Sequence, residues 1–134
     1  MIDIQSEIFN EIANAVRKDY PNTFITGEYI RTPPSFPCIS VEERNNVPLR
    51  STQTTSSLEN HTVLMYEINV YSNKTSGRRG ECVQLMEVVD KTFAKLGFSR
   101  RMMDSVANIE DATIYRLVAR YEAVAGKNGT IYRR

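Results

Sequence analysis

The sequence predicts an α+β fold, a two-layer sandwich in which a mainly antiparallel sheet of about four to five strands packs against two amphipathic helices. Two segments place apolar residues at helical spacing, and several others alternate apolar and polar residues as strands do. These segments follow one another as helix, strands, helix, strands. Because an amphipathic helix needs an apolar surface to cover, a sheet with one buried face supplies the second layer.

The N-terminal segment predicts the first helix. Apolar residues recur at three- and four-residue steps from Ile4 to Val16, which is the spacing of one helix face. Asp3 stands where a capping side chain is expected, and Pro21 prevents the helix from continuing. We therefore expect a helix that ends near Lys18.

Three runs in the first half of the chain predict strands. TFITGEYIRT predicts an irregular strand with Gly27 as a bulge, and the prolines that follow it interrupt strand pairing until Cys38. CISVEER, which begins at Cys38, alternates apolar and polar residues as a half-buried strand does. TVLMYEINVYS alternates most regularly, so we assign it to the centre of the sheet.

A long polar segment separates the last two of these strands. Residues 45–61 show no periodicity, and a connection longer than about 12 to 15 residues is usually functional or disordered. Its scattered apolar residues are Val47, Leu49 and Leu58. We expect a flexible strand-to-strand arm that orders against a neighbour, within a single domain spanning residues 1–134.

The second half of the chain predicts another helix and the remaining strands. SNKTSGRRG predicts a basic turn, after which an apolar stripe runs from Cys82 to Leu96 and ends at Gly97, a residue suited to a left-handed cap. A short strand is expected from about Met102 to Asn108. ATIYRLVARYEAVA predicts a long strand, and TIYRR predicts a terminal one.

One face of the predicted sheet is polar. Glu67 and Asn69 of the central strand should share it with Arg116 and Arg120 of the last long strand. This face is too polar for a second core layer, so we expect it to meet either solvent or a neighbouring subunit.

Composition and charge restrict the classes of function. The 134 residues include 17 basic and 16 acidic ones, a formal net charge of +1, so no overall field attracts a polyanion and direct sequence-specific nucleic-acid binding is not expected. No apolar run approaches the roughly 20 residues that span a bilayer, so we expect no membrane partner. The N-terminal residues lack the succession of basic, apolar and small residues that marks a secretory signal, which predicts synthesis in the cytoplasm.

The sequence offers no constellation of catalytic residues. His61 is the one histidine, and we expect it to be solvated. Glu42 and Glu43 are adjacent, so on a strand they should face opposite ways. Cys38 and Cys82 lack metal-binding spacing and are expected to be buried. We therefore expect a protein that is not an enzyme, with no catalytic residues, cofactor or metal.

The order of these segments resembles the tail terminator or tail-completion proteins of long-tailed bacteriophages, which form rings and join heads to tails. The resemblance rests on the N-terminal helix, the FPCISVEE strand, the long polar loop, the YEINVYS strand, the GRRGECVQLMEVVDKTFAKLGF helix and the closing ATIYRLVARYEAVA strand. It covers nearly the full chain, although it carries no functional residue over to a position here.

This resemblance implies a structural protein of the virion, located in the tail or neck and made in the cytoplasm of the bacterial host. Its implied partners are other copies of the chain, the tail tube protein, and the head connector or neck protein. The copies are expected to form a homo-oligomeric ring, a hexamer. The ring would cap the head-proximal end of the tube, stop its polymerisation and form the joining surface.

Ten residues are candidates for contacts between subunits or with partners. They are residues of the arm, arginines at the two ends of the second helix, and arginines of the polar sheet face: Val47, Leu49, Arg50, Leu58, Arg78, Arg79, Arg100, Arg101, Arg116 and Arg120.

Other interpretations remain open. The chain fits another component of the phage neck or connector, or a small nucleic-acid-binding α+β module that uses Arg116 and Arg120 as a basic strip. A small enzyme or ligand-binding domain would require an apolar pocket with convergent polar groups. SGRRG lacks the standard phosphate-binding spacings, so we interpret it as a turn that leads into the helix.

Overall fold

A computed structural model describes residues 1–48, 61–107, 111–126 and 129–133. It has the α+β fold, with two helices and one mixed sheet of six strands. In chain order the elements are α1 (Gln5–Asp19), β1 (Phe24–Thr26), β2 (Cys38–Pro48), β3 (His61–Ser72), α2 (Arg78–Leu96), β4 (Ser99–Ser105), β5 (Tyr115–Gly126) and β6 (Ile131–Arg133).

The sheet follows the order β1-β2-β3-β5-β4, and β6 pairs with β5. All neighbouring strands are antiparallel except β1 and β2, which are parallel. β4 pairs with β5 over residues 117–122 and β6 pairs with it over residues 123–125, so both lie along the same edge of β5. The sheet has six strands and is therefore larger than predicted. It is also mixed, because the proline-rich segment 27–37 returns the chain so that β2 lies parallel to β1.

Both helices match their predicted positions, with one difference at a cap. The N-cap of α1 is Ile4 and makes no side-chain capping bond, whereas Asp3, one residue earlier, accepts a hydrogen bond from the Gln5 amide at 3.2 Å. Gly97 ends α2 with φ +95°, a conformation that glycine adopts without the steric cost of a side chain. The predicted left-handed cap is confirmed.

The core lies between the helices and one face of the sheet. β3 contributes Leu64, Tyr66, Ile68 and Val70, all fully buried, as the alternation predicted. An aromatic cluster forms beneath α2, where the Phe93 and Tyr121 rings stack with their centroids 4.3 Å apart and Phe98 meets Phe93 edge to face at 5.0 Å. Burial of these rings makes the contact between α2 and the sheet a main source of stability.

The ends of the predicted arm belong to strands. β2 continues to Pro48 and β3 begins at His61, with a bulge between Glu43 and Asn45. Polar residues remain in the strand here because their side chains are satisfied: the Asn46 amide donates to the Ile2 carbonyl at 2.7 Å. The arm boundary of 45–61 was therefore too wide, and Leu49, Arg50 and Leu58 lie outside the described residues.

The fourth strand differs from its predicted bounds. β4 begins at Ser99 and ends at Ser105, whereas we expected a strand from about Met102 to Asn108. Its side chains are exposed from Arg100 onward, so no apolar alternation marks it in the sequence. The backbone hydrogen bonds to β5 define this strand. The short terminal strand β6 was predicted correctly.

Candidate self-assembly surface

The sheet face opposite the helices, called here the open face, is lined by polar residues from three strands. It carries Ser40 and Glu42 of β2, Glu67, Asn69 and Tyr71 of β3, and Arg116, Val118 and Arg120 of β5, placed side by side by the strand register. Neither helix covers these residues, yet Ser40 and Asn69 are fully buried. Arg116 and Arg120 of the neighbouring strand bond to Asn69 and Glu67, so polar contacts take the place of a second apolar layer.

Two carboxylates face each other across this network. Glu42 and Glu67 are directly opposite in the antiparallel pair of β2 and β3, and both are more than nine-tenths buried. Like charges in this position destabilise a sheet unless each is compensated. Arg120 Nη2 lies 3.0 Å from Glu67 Oε1, and Arg44 Nη1 lies 3.1 Å from Glu42 Oε2. The open face thus alternates the two signs of charge.

Arg116 completes the network at one end. Its Nε donates to Asn69 Oδ1 at 2.8 Å, and its guanidinium lies 6.0 Å from the centre of the Tyr71 ring. Burial raises the pKa of Tyr71 to about 12, and the nearby charge of Arg116 opposes that rise. The predicted grouping of Glu67, Asn69, Arg116 and Arg120 on one face is confirmed.

This pairing weakens the interpretation of the open face as a nucleic-acid surface. Arg116 and Arg120 are both held by side chains of β3, and Arg120 by a carboxylate. A phosphate backbone would have to displace these bonds and would meet Glu42 and Glu67 beside them. The charge pattern suits a partner that also presents both signs of charge.

The arginines at the ends of α2 differ in their surroundings. Arg78 donates to the carbonyl of Thr113 at 3.2 Å, whereas Arg79 is exposed and has no partner among the residues described here. At the other end, Arg100 lies 3.4 Å from Asp90, and Arg101 lies 3.8 Å from Glu122. The structure therefore places Arg116 and Arg120 on one face of the sheet, and the other four arginines in separate surroundings at the two ends of α2.

The N-terminus of α2 is electrostatically unusual. Gly77 caps it at φ +78° with no side-chain capping bond. Arg78 and Arg79 occupy the first turn, where the helix dipole disfavours positive charge. The acid of that turn, Glu81, already accepts from the Ser72 hydroxyl at 2.6 Å and lies 3.3 Å from Lys74 Nζ.

A shallow cleft at the β2 edge of the sheet, called here the acidic cleft, was not predicted. It has a volume of about 410 Å³ and is lined by Gln5, Gly27, Glu28, Tyr29, Glu42, Glu43 and Arg44. The acidic GEY and EER segments are visible in the sequence, but the structure joins them through the parallel pairing of β1 with β2. That pairing carried no sequence signal.

Glu42 and Glu43 lie on opposite faces of β2, as predicted. Glu43 Oε1 accepts a hydrogen bond from the Tyr66 hydroxyl at 3.0 Å on the helix side, while Glu42 lies on the open face. Burial raises the pKa of Glu43 above its ordinary value, an effect that the bond from Tyr66 partly offsets.

Exposed apolar side chains lie at two opposite parts of the sheet. Met102 and Met103 of β4, Val106 just beyond it and Tyr132 of β6 are exposed, and Val47 near the end of β2 is 54% exposed. Val47 is the one predicted apolar interface residue whose structure is described, and its exposure is compatible with that role.

The two cysteines and the histidine lie on three different elements, β2, α2 and β3. Burial raises the pKa of the Cys38 and Cys82 thiols to about 12, so both are protonated, unreactive groups at neutral pH, as their expected burial implied. His61 is half-buried rather than solvated, because it begins β3 and packs edge to face on Tyr132 at 5.6 Å. Within the described residues, no group of three or more His, Cys, Asp and Glu side chains is arranged to hold a metal ion.

Neither helix in the described part of the chain combines the length and apolar content needed to cross a bilayer. No protein-family model matches the chain, and no curated protein matches it.

Proposed function

We propose that this chain is a structural protein of a long-tailed bacteriophage that forms a homo-oligomeric ring, a hexamer, at the head-proximal end of the tail tube. There it stops tube polymerisation and presents a surface to the head connector or neck protein. In this proposal the protein resides in the tail or neck of the virion, is made in the host cytoplasm, and performs no catalysis.

The observation that carries this proposal is the open face of the sheet. A polar network with both signs of charge, two opposed buried carboxylates and no helix over it is the kind of surface that fits a neighbouring protein. The exposed Val47 and the exposed methionines of β4 add apolar area at opposite parts of the sheet. A protein that meets a different patch on each neighbour forms a closed ring when the rotation permits.

The test measures assembly and its consequence for tube growth. Light scattering coupled to size exclusion should give a mass of six times 15.3 kDa, alone or with tail tubes. Added to polymerising tail tube protein, the chain should hold tubes at a constant length, while an equal amount of an unrelated protein should not. A protein that stays monomeric and leaves tube growth unchanged would refute the proposal.

The polar arm provides a second readout. Trypsin should cut after Arg50 more slowly in the assembled protein than in the isolated one, because an arm ordered against a neighbour is protected. Equal rates of cleavage in the two states would remove the arm from the interface. A salt-dependent retention on a nucleic-acid column would instead favour the nucleic-acid-binding alternative.

A further inference from the structure

The acidic cleft has the chemistry of a site for a guanidinium group. Glu28 and Glu42 supply carboxylates beside the guanidinium of Arg44, and Tyr29 stands 63% exposed beside them. Glu43 also lines the cleft, although its carboxylate bonds to Tyr66 on the helix side. Carboxylates accept paired hydrogen bonds from arginine, and an aromatic face attracts the same cation. A basic side chain satisfies both features.

Within this cleft, Glu42 retains an unused acceptor. Its Oε2 binds Arg44, but its Oε1 is buried and has no hydrogen-bond partner among the described residues. The Ser40 hydroxyl, fully buried on the same face of β2, is likewise without a partner there. A buried carboxylate oxygen left unpaired costs free energy, and a donor that displaced the atoms covering it would recover that cost.

Among the described side chains, Arg79 is well suited to supply that donor. It is exposed, has no partner among the described residues, and sits in the first turn of α2. Positive charge is unfavourable at a helix N-terminus, so carboxylates brought close to Arg79 would relieve an existing electrostatic repulsion. Arg17, also exposed, lies instead in the last turn of α1, where the helix dipole favours it.

The cleft and Arg79 are separated within one subunit. Arg78, beside Arg79, contacts Thr113 just before β5, whereas the cleft lies on the outer edge of β2, with β3 between these two strands. Two different patches that complement each other make a heterologous contact, and such a contact closes into a ring when the rotation permits. This arrangement is what a ring-forming protein needs.

We infer that the acidic cleft of one subunit receives Arg79 of a second copy of this chain, and that this contact closes the ring. The inference rests on the proposed function, since it names the partner surfaces of the ring. It also predicts which charges must change together, and this makes it testable separately from the ring itself.

The experiment exchanges the two charges. Glu28→Lys and Arg79→Glu each alter an exposed residue, so both variants should fold, which circular dichroism checks. Each should weaken association by about tenfold or more, measured as the shift of the dissociation midpoint in light scattering. The double variant, Glu28→Lys with Arg79→Glu, should recover most of the loss because the pair is restored with its signs reversed.

Matched controls separate this contact from a general effect of charge. Lys91→Glu and Glu87→Lys make the same changes at exposed positions of α2 and should assemble as the unmodified protein does. If both site variants assemble normally, or if the double variant recovers nothing, the inferred contact is wrong although the ring stands. If the unmodified protein never associates, alone or with tail tubes, the proposed function and the inference fail together.

Discussion

Replacing Arg120 with alanine tests whether the open face depends on its paired charges. Arg120 donates from Nε to Glu67 Oε1 at 3.1 Å, and its Nη2 lies 3.0 Å from the same oxygen. The Glu67 side chain is only 10% exposed. Without Arg120, Glu67 would remain mostly buried and directly opposite Glu42. The substitution should therefore lower the free energy of unfolding through loss of the counter-charge rather than of packing.

The size of the loss follows from the exposure of the two partners. Breaking a fully buried pair by removing one member costs about 3 to 5 kcal/mol, whereas exposed pairs contribute about 0 to 1 kcal/mol. The Arg120 side chain is 46% exposed, and Asn69 Nδ2 still donates to Glu67 Oε2 at 3.3 Å. We expect a loss of about 2 kcal/mol for Arg120→Ala.

The assay is urea unfolding followed by circular dichroism at neutral pH, for Arg120→Ala, Glu67→Gln and the double variant. Because the neutral amide introduced by Glu67→Gln needs no counter-charge, Arg120→Ala should cost less in that background, with a coupling energy of about 1 kcal/mol or more. Lys91→Ala, a change at an exposed position of α2, should stay within about 0.5 kcal/mol. A loss for Arg120→Ala as small as that of Lys91→Ala would refute this account of the open face.

Three further outcomes follow from the core and from the buried titratable groups. Phe93→Ala should lower the free energy of unfolding by about 3 to 5 kcal/mol in the same urea assay, since Phe93 is fully buried in the aromatic cluster; a loss below about 1.5 kcal/mol would contradict this. Cys38 and Cys82, with pKa values raised to about 12, should react with a thiol reagent only as fast as the chain unfolds, and rapid labelling of the native protein at pH 8 would be inconsistent with their burial. The raised pKa of Glu43 means that its carboxyl group holds a proton more tightly in the folded state than in the unfolded state. The stability that this protonated group contributes is complete below the unfolded pKa and is lost as pH rises through the folded pKa. Relative to the unmodified protein, Glu43→Gln should therefore gain stability as pH rises from about 4, and a difference independent of pH would show that Glu43 does not titrate in this way.

Much of the fold is visible in the sequence because burial leaves a periodic signature. The regular alternation of β3 identified its buried face from Leu64 to Val70, and the stripe of α2 identified its own. Gly97 marked the end of α2 because a left-handed cap selects glycine. In each case the physical requirement acts on residues that are close in sequence.

Elements that depend on backbone pairing were harder to predict. β4 has an exposed side-chain row and no alternation, so only its hydrogen bonds to β5 define it. The extension of β2 to Pro48 similarly depends on a bulge and on the bond from Asn46 to the carbonyl of Ile2, far away in the sequence. Such long-range bonds leave no local pattern.

By itself, the sequence determined the fold class, the two helices, the central strand and the polar character of one sheet face, because each follows from the spacing of apolar and charged residues. Only the tertiary structure decided which charges meet. Strand register brings together residues that are distant in the sequence. Examples are the bonds of Arg120 to Glu67 and of Arg116 to Asn69, and the acidic cleft formed by Glu28 and Glu42. Register is fixed by packing and hydrogen bonding across the whole sheet, which the order of residues along one strand does not encode.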